Sequence, residues 1–352
     1  MTMTQKTPET VKRREPMSDT RLLMLIAVGI FVVMYAAAML LIGKRFLNSQ
    51  EIFNLLNNNA YLIILGCSLT IVMISGGIDI SVGGVVCLSA MSCAKFLQSV
   101  GTDSGSFSVV LSLLLALGIG LLFGLEQGFL VSYLGIQPFI VTLAGMFLSR
   151  GVTTMISSEN VPIKHEAFLA MKKTSLQLPG LGKMELGAVI AIVILVLVYL
   201  LLRHHRLGRN IYALGGNQQS ALMLGINVKR SRFMAYVISG MLSGLAGYIF
   251  IMHAASGKTS IGLRSEMDAI AAAIIGGTLL TGGVGNVFGT FFGVMILSTI
   301  QEIMAASKLQ ESYWQEIASG AMLALFILMQ SVVLSRRGQG MKLPPWMKLK
   351  KE

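Results

Sequence analysis

Apolar residues run along this chain in blocks of about twenty, separated by short polar or glycine-rich stretches. Segments 22–42, 54–74, 79–98, 107–130, 138–157, 185–203, 233–252, 267–281, 284–303 and 316–334 reach or approach the ~20 mostly apolar residues that a helix needs to cross a bilayer. The pattern predicts an all-α membrane protein: a polytopic bundle of about ten transmembrane helices, some broken by glycine, with 267–281 the shortest span. The expected organisation is a tail at 1–21, a membrane domain at 22–334 and a second tail at 335–352, with polar loops at 157–184 and 203–232.

Composition changes the picture only by sharpening it. The chain is 54% hydrophobic and 12% charged, against about a quarter charged in soluble domains, and its mean hydropathy is +0.73. Its cations are unevenly placed: residues 1–21 hold five Lys/Arg, 203–232 six and 335–352 six, so these segments carry 17 of the 28. Ten spans put all three on one side, and cationic loops stay cytoplasmic, which predicts that both termini are cytoplasmic. The net charge of +12 therefore reports topology rather than a nucleic-acid surface. The first apolar stretch is too long and starts too late, after Arg21, for a cleavable signal.

Candidate chemistry is sparse. Cys67, Cys87 and Cys93 fall in or beside spans without metal-ligand spacing, and read as small buried residues. His165, His204, His205 and His253 lie scattered over loops and are expected to be solvated. No metal and no cofactor is expected. The string SGKTS at Ser256–Ser260 resembles a phosphate-binding loop but has Met252 where the first glycine belongs, and GGVGNVFG has Phe288 in place of the third glycine of a dinucleotide fingerprint. With no nucleophile–base pair or carboxylate dyad at catalytic spacing, the chain is not expected to be an enzyme.

Glycine placement says more. Gly120, Gly124 and Gly128, then Gly285, Gly289 and Gly293, and the pair Gly240 and Gly244 recur every four residues, the spacing that lets membrane helices approach closely. Two other clusters, ISGGIDISVGG at Ile74–Gly84 and IGGTLLTGGVG at Ile275–Gly285, interrupt spans about 200 residues apart. Such breaks are tolerated at membrane depth only where protein or a watery cavity satisfies the backbone, and paired breaks in corresponding positions point to a transport pathway. Asp79 lies in the first cluster. It is either a cap for the helix starting near Ser81 or part of a pathway, since a carboxylate inside a span costs about 3 kcal/mol. Asp79, Ser81, Thr281 and Asn286 are the polar candidates for such a pathway.

The polar segment Arg203–Arg232 has six cations and no carboxylate. Within it Asn217 can cap a short helix and Gly225 can end one in a left-handed turn. Gln218 and Gln219 are expected to face outward, with Ala221, Leu222 and Leu224 packing. This is either a docking element for a cytosolic partner or an ordinary connection.

Three strings, SGGIDISVGG, PFIVTLAGMFLSRG at Pro138–Gly151 and YALGGNQQSALMLGINVKR at Tyr212–Arg230, resemble the permease subunits of ABC importers for monosaccharides of the ribose, arabinose, xylose and galactose type, in matching order from about residue 20 to 335. NVPIKHEAF at Asn160–Phe168 and EMDAIAAAIIGGTLLTGGVGNVFGT at Glu266–Thr290 look most like the galactofuranose or galactose branch. The resemblance implies a bacterial inner-membrane location and three kinds of partner. These are cytosolic ATPase subunits, a periplasmic sugar-binding protein and a second permease subunit, identical or different. It also implies that Gly216, Asn217, Gln218, Ala221, Leu222 and Gly225 belong to a coupling helix over Asn217–Leu224 that the ATPases push. Where the family has two acidic residues and an alanine after Gly-Gly-Asn, Gln218, Gln219 and Ser220 stand here. The loop at 157–184 is either a contact for the binding protein or merely solvated. The rival is an ion-driven secondary transporter, which needs midplane ionisable groups. Asp79 is the single strong candidate, since Glu126 and Glu302 lie toward the ends of their spans.

Overall fold

The computed structural model describes residues 19–43, 46–101, 105–179, 182–306 and 312–336. Both basic tails fall mostly outside these residues. Six helices come first: α1 (Asp19–Ile42), α2 (Gln50–Asn58), α3 (Ala60–Ile74), α4 (Val82–Val100), α5 (Gly105–Ser132) and α6 (Pro138–Ile156). Then follow β1 (Val161–Pro162), α7 (Glu166–Lys173), β2 (Ser175–Leu178), β3 (Gly182–Glu185), α8 (Leu186–His204), α9 (Arg206–Gly216) and α10 (Gln218–Met223). The chain continues through α11 (Val228–Ala254), β4 (Ser256–Gly257), α12 (Ser265–Ile275), α13 (Val287–Ala306) and α14 (Ser312–Arg336).

Each of the ten apolar segments holds a helix. Among the described residues, seven helices (α1, α4, α5, α6, α8, α11 and α13) are long and apolar enough to cross a membrane, and the pair α2–α3, bent by 59°, makes an eighth if it is one span. Of the others, α12 stops after 11 residues at a glycine turn, and in α14 the described residues include an apolar stretch at Ile317–Gln330.

α11 runs through the middle of the bundle against α5, α3 and α4. Its contact with α5 is made by small residues: Gly120 lies against the Gly240 backbone, Gly124 against Val237 and Gly244 against Ala116. Gly289 and Gly293 meet Gly276 and Ala272 in the same way, joining α13 to α12. Lipid gives helices no hydrophobic reason to associate, so this backbone proximity, through close van der Waals packing, holds them together.

The two ends of the bundle differ. At the hairpin end, β2 and β3 pair antiparallel and β1 pairs with β4. There Gln50 Oε1 accepts from Lys183 N at 2.7 Å, and Glu185 meets His253 at 2.8 Å. His165, expected to be solvated, is buried instead: Ser108 Oγ lies 2.9 Å from its Nε2, and Nδ1 accepts from Phe168 N, capping α7. At the opposite, basic end lie α9, α10, the 133–137 turn and both glycine-rich turns.

Replacing Gly240 with Leu puts a side chain where the Gly120 carbonyl and Gly124 sit. Overpacking of this kind costs about 1–3 kcal/mol or more. A lower melting temperature and a smaller monodisperse fraction after detergent extraction are expected; an unchanged melting curve contradicts the packing described.

Candidate functional site

The central loop folds as two short helices at the basic end. In α10, Asn217 is extended (φ −158, ψ 107) and its Oδ1 accepts from Ser220 N at 2.9 Å, satisfying one of the free N–H groups of the first turn. Gly225, at φ +74, closes the other end: its N–H and that of Ile226 return to the carbonyls of Leu222 and Ala221. Gln218 and Gln219 are exposed, as expected, and Gln218 Oε1 accepts from Arg232 at 2.8 Å. Ala221 packs against Leu214 and Val228. Leu222 and Leu224 do not pack. They are 50% and 77% exposed, with Met223 at 87%, because a helix of this length can bury one face only and Ala221 occupies it.

α9 delivers Gly215 and Gly216 into the bundle. A Cβ on Gly215 would strike the Ile74 carbonyl at the end of α3, and one on Gly283 would strike Gly216. Gly283 N donates to that same Ile74 carbonyl at 2.9 Å, Gly282 lies on Gly76, and Tyr212 Oη donates to Gly285 O at 2.7 Å. The two glycine clusters, far apart in sequence, therefore meet each other and the foot of α10 at one junction. Gly282 and Gly283 have φ of +86 and +75, which only glycine adopts without strain.

From Gly76 the chain leaves helical structure and climbs into the bundle before α4 begins. Asp79 holds this stretch. Its Oδ1 accepts from Ser81 N at 3.0 Å and Ser81 Oγ at 2.6 Å, and its Oδ2 accepts from Ser239 Oγ at 2.7 Å. Ser81 Oγ also lies within bonding distance of Gln127 Oε1, and Ser239 Oγ within 2.8 Å of Ser68 Oγ. Tyr236 Oη donates to Ile78 O. Asp79 and Ser81 are thus brought together and buried. Thr281 and Asn286 lie apart from them on the second turn: Thr281 is exposed, and Asn286 Oδ1 caps α13 by accepting from Phe288 N at 3.0 Å.

Charged residues deep in the bundle went unrecognised in the sequence. The 255–264 loop does not stay at the hairpin end. It runs down along α4, with Gly257 against Met91 and Ala94, Cys87 Sγ near the carbonyls of Lys258 and Thr259, and Gly262 against Gly83. Gly83 lies 17 residues from the hairpin end of α4, roughly 25 Å along the helix. Glu266, at the start of α12, sits against Gly83 and is 7% exposed. Arg150 of α6 donates to the carbonyls of Ile261 (3.2 Å) and Gly262 (2.6 Å). The positive charges of Arg150 and Arg264 act on the Glu266 carboxylate, and Glu266 acts on Asp268. A lone arginine inside the 138–157 apolar segment was the available signal; the folding-back of 255–264 left none. Among the described residues, no three His, Cys, Asp or Glu side chains are grouped to hold a metal ion.

Residues 51–328 match the family described as branched-chain amino acid transport system / permease component. The chain belongs to this permease family. Among its relatives, the inner membrane ABC transporter permease protein YjfF of Escherichia coli K12 is 36% identical over 87% of this chain and 91% of its own. The fructose import permease protein FruG of Bifidobacterium longum is 34% identical over 89% and 92%. The ribose import permease protein RbsC of E. coli K12 is 32% identical over 82% and 88%. No solved structure matches the chain. The permease is a multi-pass inner-membrane protein.

Asp79→Ala removes the acceptor for three hydrogen bonds from Ser81 and Ser239. Each buried group left unpaired costs about 1–3 kcal/mol, so a marked fall in the melting temperature of purified protein is expected, with a smaller fall for Asp79→Asn. Equal stability of Asp79→Ala and the parent refutes the capping role.

Proposed function

We propose that this chain is the membrane-spanning subunit of an ATP-driven importer that carries a monosaccharide inward. Its relatives named for ribose and fructose import support the sugar class. The strings NVPIKHEAF and EMDAIAAAIIGGTLLTGGVGNVFGT favour galactofuranose or galactose within it. ATP hydrolysis belongs to separate cytosolic subunits. A periplasmic binding protein delivers the sugar, and a second permease subunit, identical or different, completes the pathway. In this reading α3, α12 and α14 also cross the membrane, giving ten crossings with both termini and the 203–232 loop cytoplasmic, as the cation bias favours.

The observation that carries the proposal is α10 itself. It is a capped helix presenting Leu222, Met223 and Leu224 outward at the basic end. Three exposed apolar side chains in a row are a docking feature rather than a solvated loop. Its foot, Gly215–Gly216, rests on both glycine turns, so a displacement of α10 by a partner reaches the ends of α3 and α12 directly. A conformational change needs a ligand that binds one state better than the other. ATP at the motor subunits and the loaded binding protein are the two such ligands. Asp79, Ser81, Thr281 and Asn286 are placed on or beside the two turns that would shift.

Gly225→Val forces a β-branched residue to φ +74, at about 1–2 kcal/mol for the left-handed conformation alone, and Ala221→Phe lifts α10 from its seat. Both are expected to abolish ATP-dependent uptake while leaving membrane insertion intact; uptake at the parent rate in either variant contradicts the coupling role. Sugar uptake by the parent is expected to stop when ATP is depleted with the proton gradient maintained, and continued uptake would falsify the ATP-driven reading.

A further inference from the structure

The charged group deep in the bundle has one buried atom that is unsatisfied. Glu266 is nine-tenths buried, yet its Oε2 has no hydrogen-bond partner. It sits at the first turn of α4, a 19-residue helix whose unpaired N–H groups and dipole favour a negative charge. The 11-residue α12 also starts there, so the N-termini of a long and a short helix lie at one depth. That is an arrangement in which helix starts converge on a transported solute.

The neighbours are mixed in sign. Arg150 uses two of its guanidinium donors to strap the Ile261–Gly262 carbonyls, and the fork carries five. Arg264 is exposed and stands at φ +67, a left-handed conformation unusual for a side chain of its size. Asp268 lies one turn along α12 from Arg264. Apolar groups flank them: Leu263 is 60% exposed, Met267 55%, and Phe147, one turn from Arg150 on α6, 65%. Ionised groups at this depth do not face lipid. A surface that alternates guanidinium, carboxylate and apolar side chains is the complement of a sugar, whose hydroxyls both donate and accept and whose ring offers an apolar face.

We propose that Glu266, with Arg150 and Arg264, forms the hydroxyl-binding waist of the sugar route, on a wet face of α6 and the 261–268 segment turned toward the second permease subunit. In this structure Glu266 Oε2 is closed off against Gly83; when the route opens it accepts from a sugar hydroxyl, Arg150 or Arg264 donates to a neighbouring one, and Phe147 and Met267 border the ring. The inference rests on the importer reading above, and adds to it where the solute is held midway.

The test uses the full chain assembled with its ATPase and binding-protein partners in proteoliposomes. Tritiated D-ribose, D-fructose and D-galactose are the probes. For whichever sugar the parent complex carries, Glu266→Gln and Arg150→Gln are expected to lower uptake at least tenfold while ATP hydrolysis stays within twofold of the parent. Uptake within twofold of the parent in both variants overturns the proposal, and so does hydrolysis that falls in step with uptake, which marks a structural role. A second arm reports on the face itself. Met267→Cys should react with a membrane-impermeant methanethiosulfonate ammonium reagent at least tenfold faster than Leu122→Cys on the outward face of α5, and equal rates overturn a wet waist. If the parent carries none of the three sugars with ATP, the importer reading fails, and the cysteine arm still decides whether this surface is wet.

Discussion

Backbone polar groups that leave helical pairing inside a bilayer have no water to turn to, and the rest of this architecture follows from how they are satisfied. At Gly76–Ser81 the solution is Asp79, which binds Ser81 twice and reaches Ser239 on α11. At the second break it is local and mutual: Leu279 N pairs with Val284 O, Gly283 N with the Ile74 carbonyl, and Tyr212 with Gly285 O. Because the partners of each break come from elsewhere in the chain, the two breaks and the central loop are fixed to one another. Close approach of glycine backbones is what permits this, and any side chain at Gly215 or Gly283 would prevent it.

Much of this was legible in the sequence. Long apolar blocks placed the helices, since period and length are local properties. The four-residue glycine spacing announced the α5–α11 and α12–α13 contacts, and the caps at Asn217 and Gly225 were readable because capping depends on a few adjacent residues. Properties set by tertiary return were not legible. Nothing local says that Leu222 and Leu224 face outward, because that depends on Ala221 filling the space above Leu214 and Val228. Nothing separates Thr281 and Asn286 from Asp79 until the turns are placed, and His165 reads as a surface residue until Ser108 closes over it.

The largest gap concerned charge at depth. The segment SGKTSIGLR has the composition of a surface loop, yet it descends along α4, so Arg264, Glu266 and Asp268 lie far below the hairpin end. Arg150 stands inside an apolar segment as plainly as Asp79 does, and the partners of Asp79 are hydroxyls and a backbone N–H rather than a cation. One carboxylate is consumed by capping and the other keeps an unpaired oxygen. The distinction between structural and available acids is therefore a matter of partners, not of burial, as both are more than nine-tenths buried.

The outward row of Leu222, Met223 and Leu224 has a consequence for the protein before assembly. A copy without partners carries an apolar knob on a short helix capped at both ends, each of its three side chains at least half exposed. Solitary copies will therefore cling to one another or to chaperones through this knob. Covering it early protects the subunit.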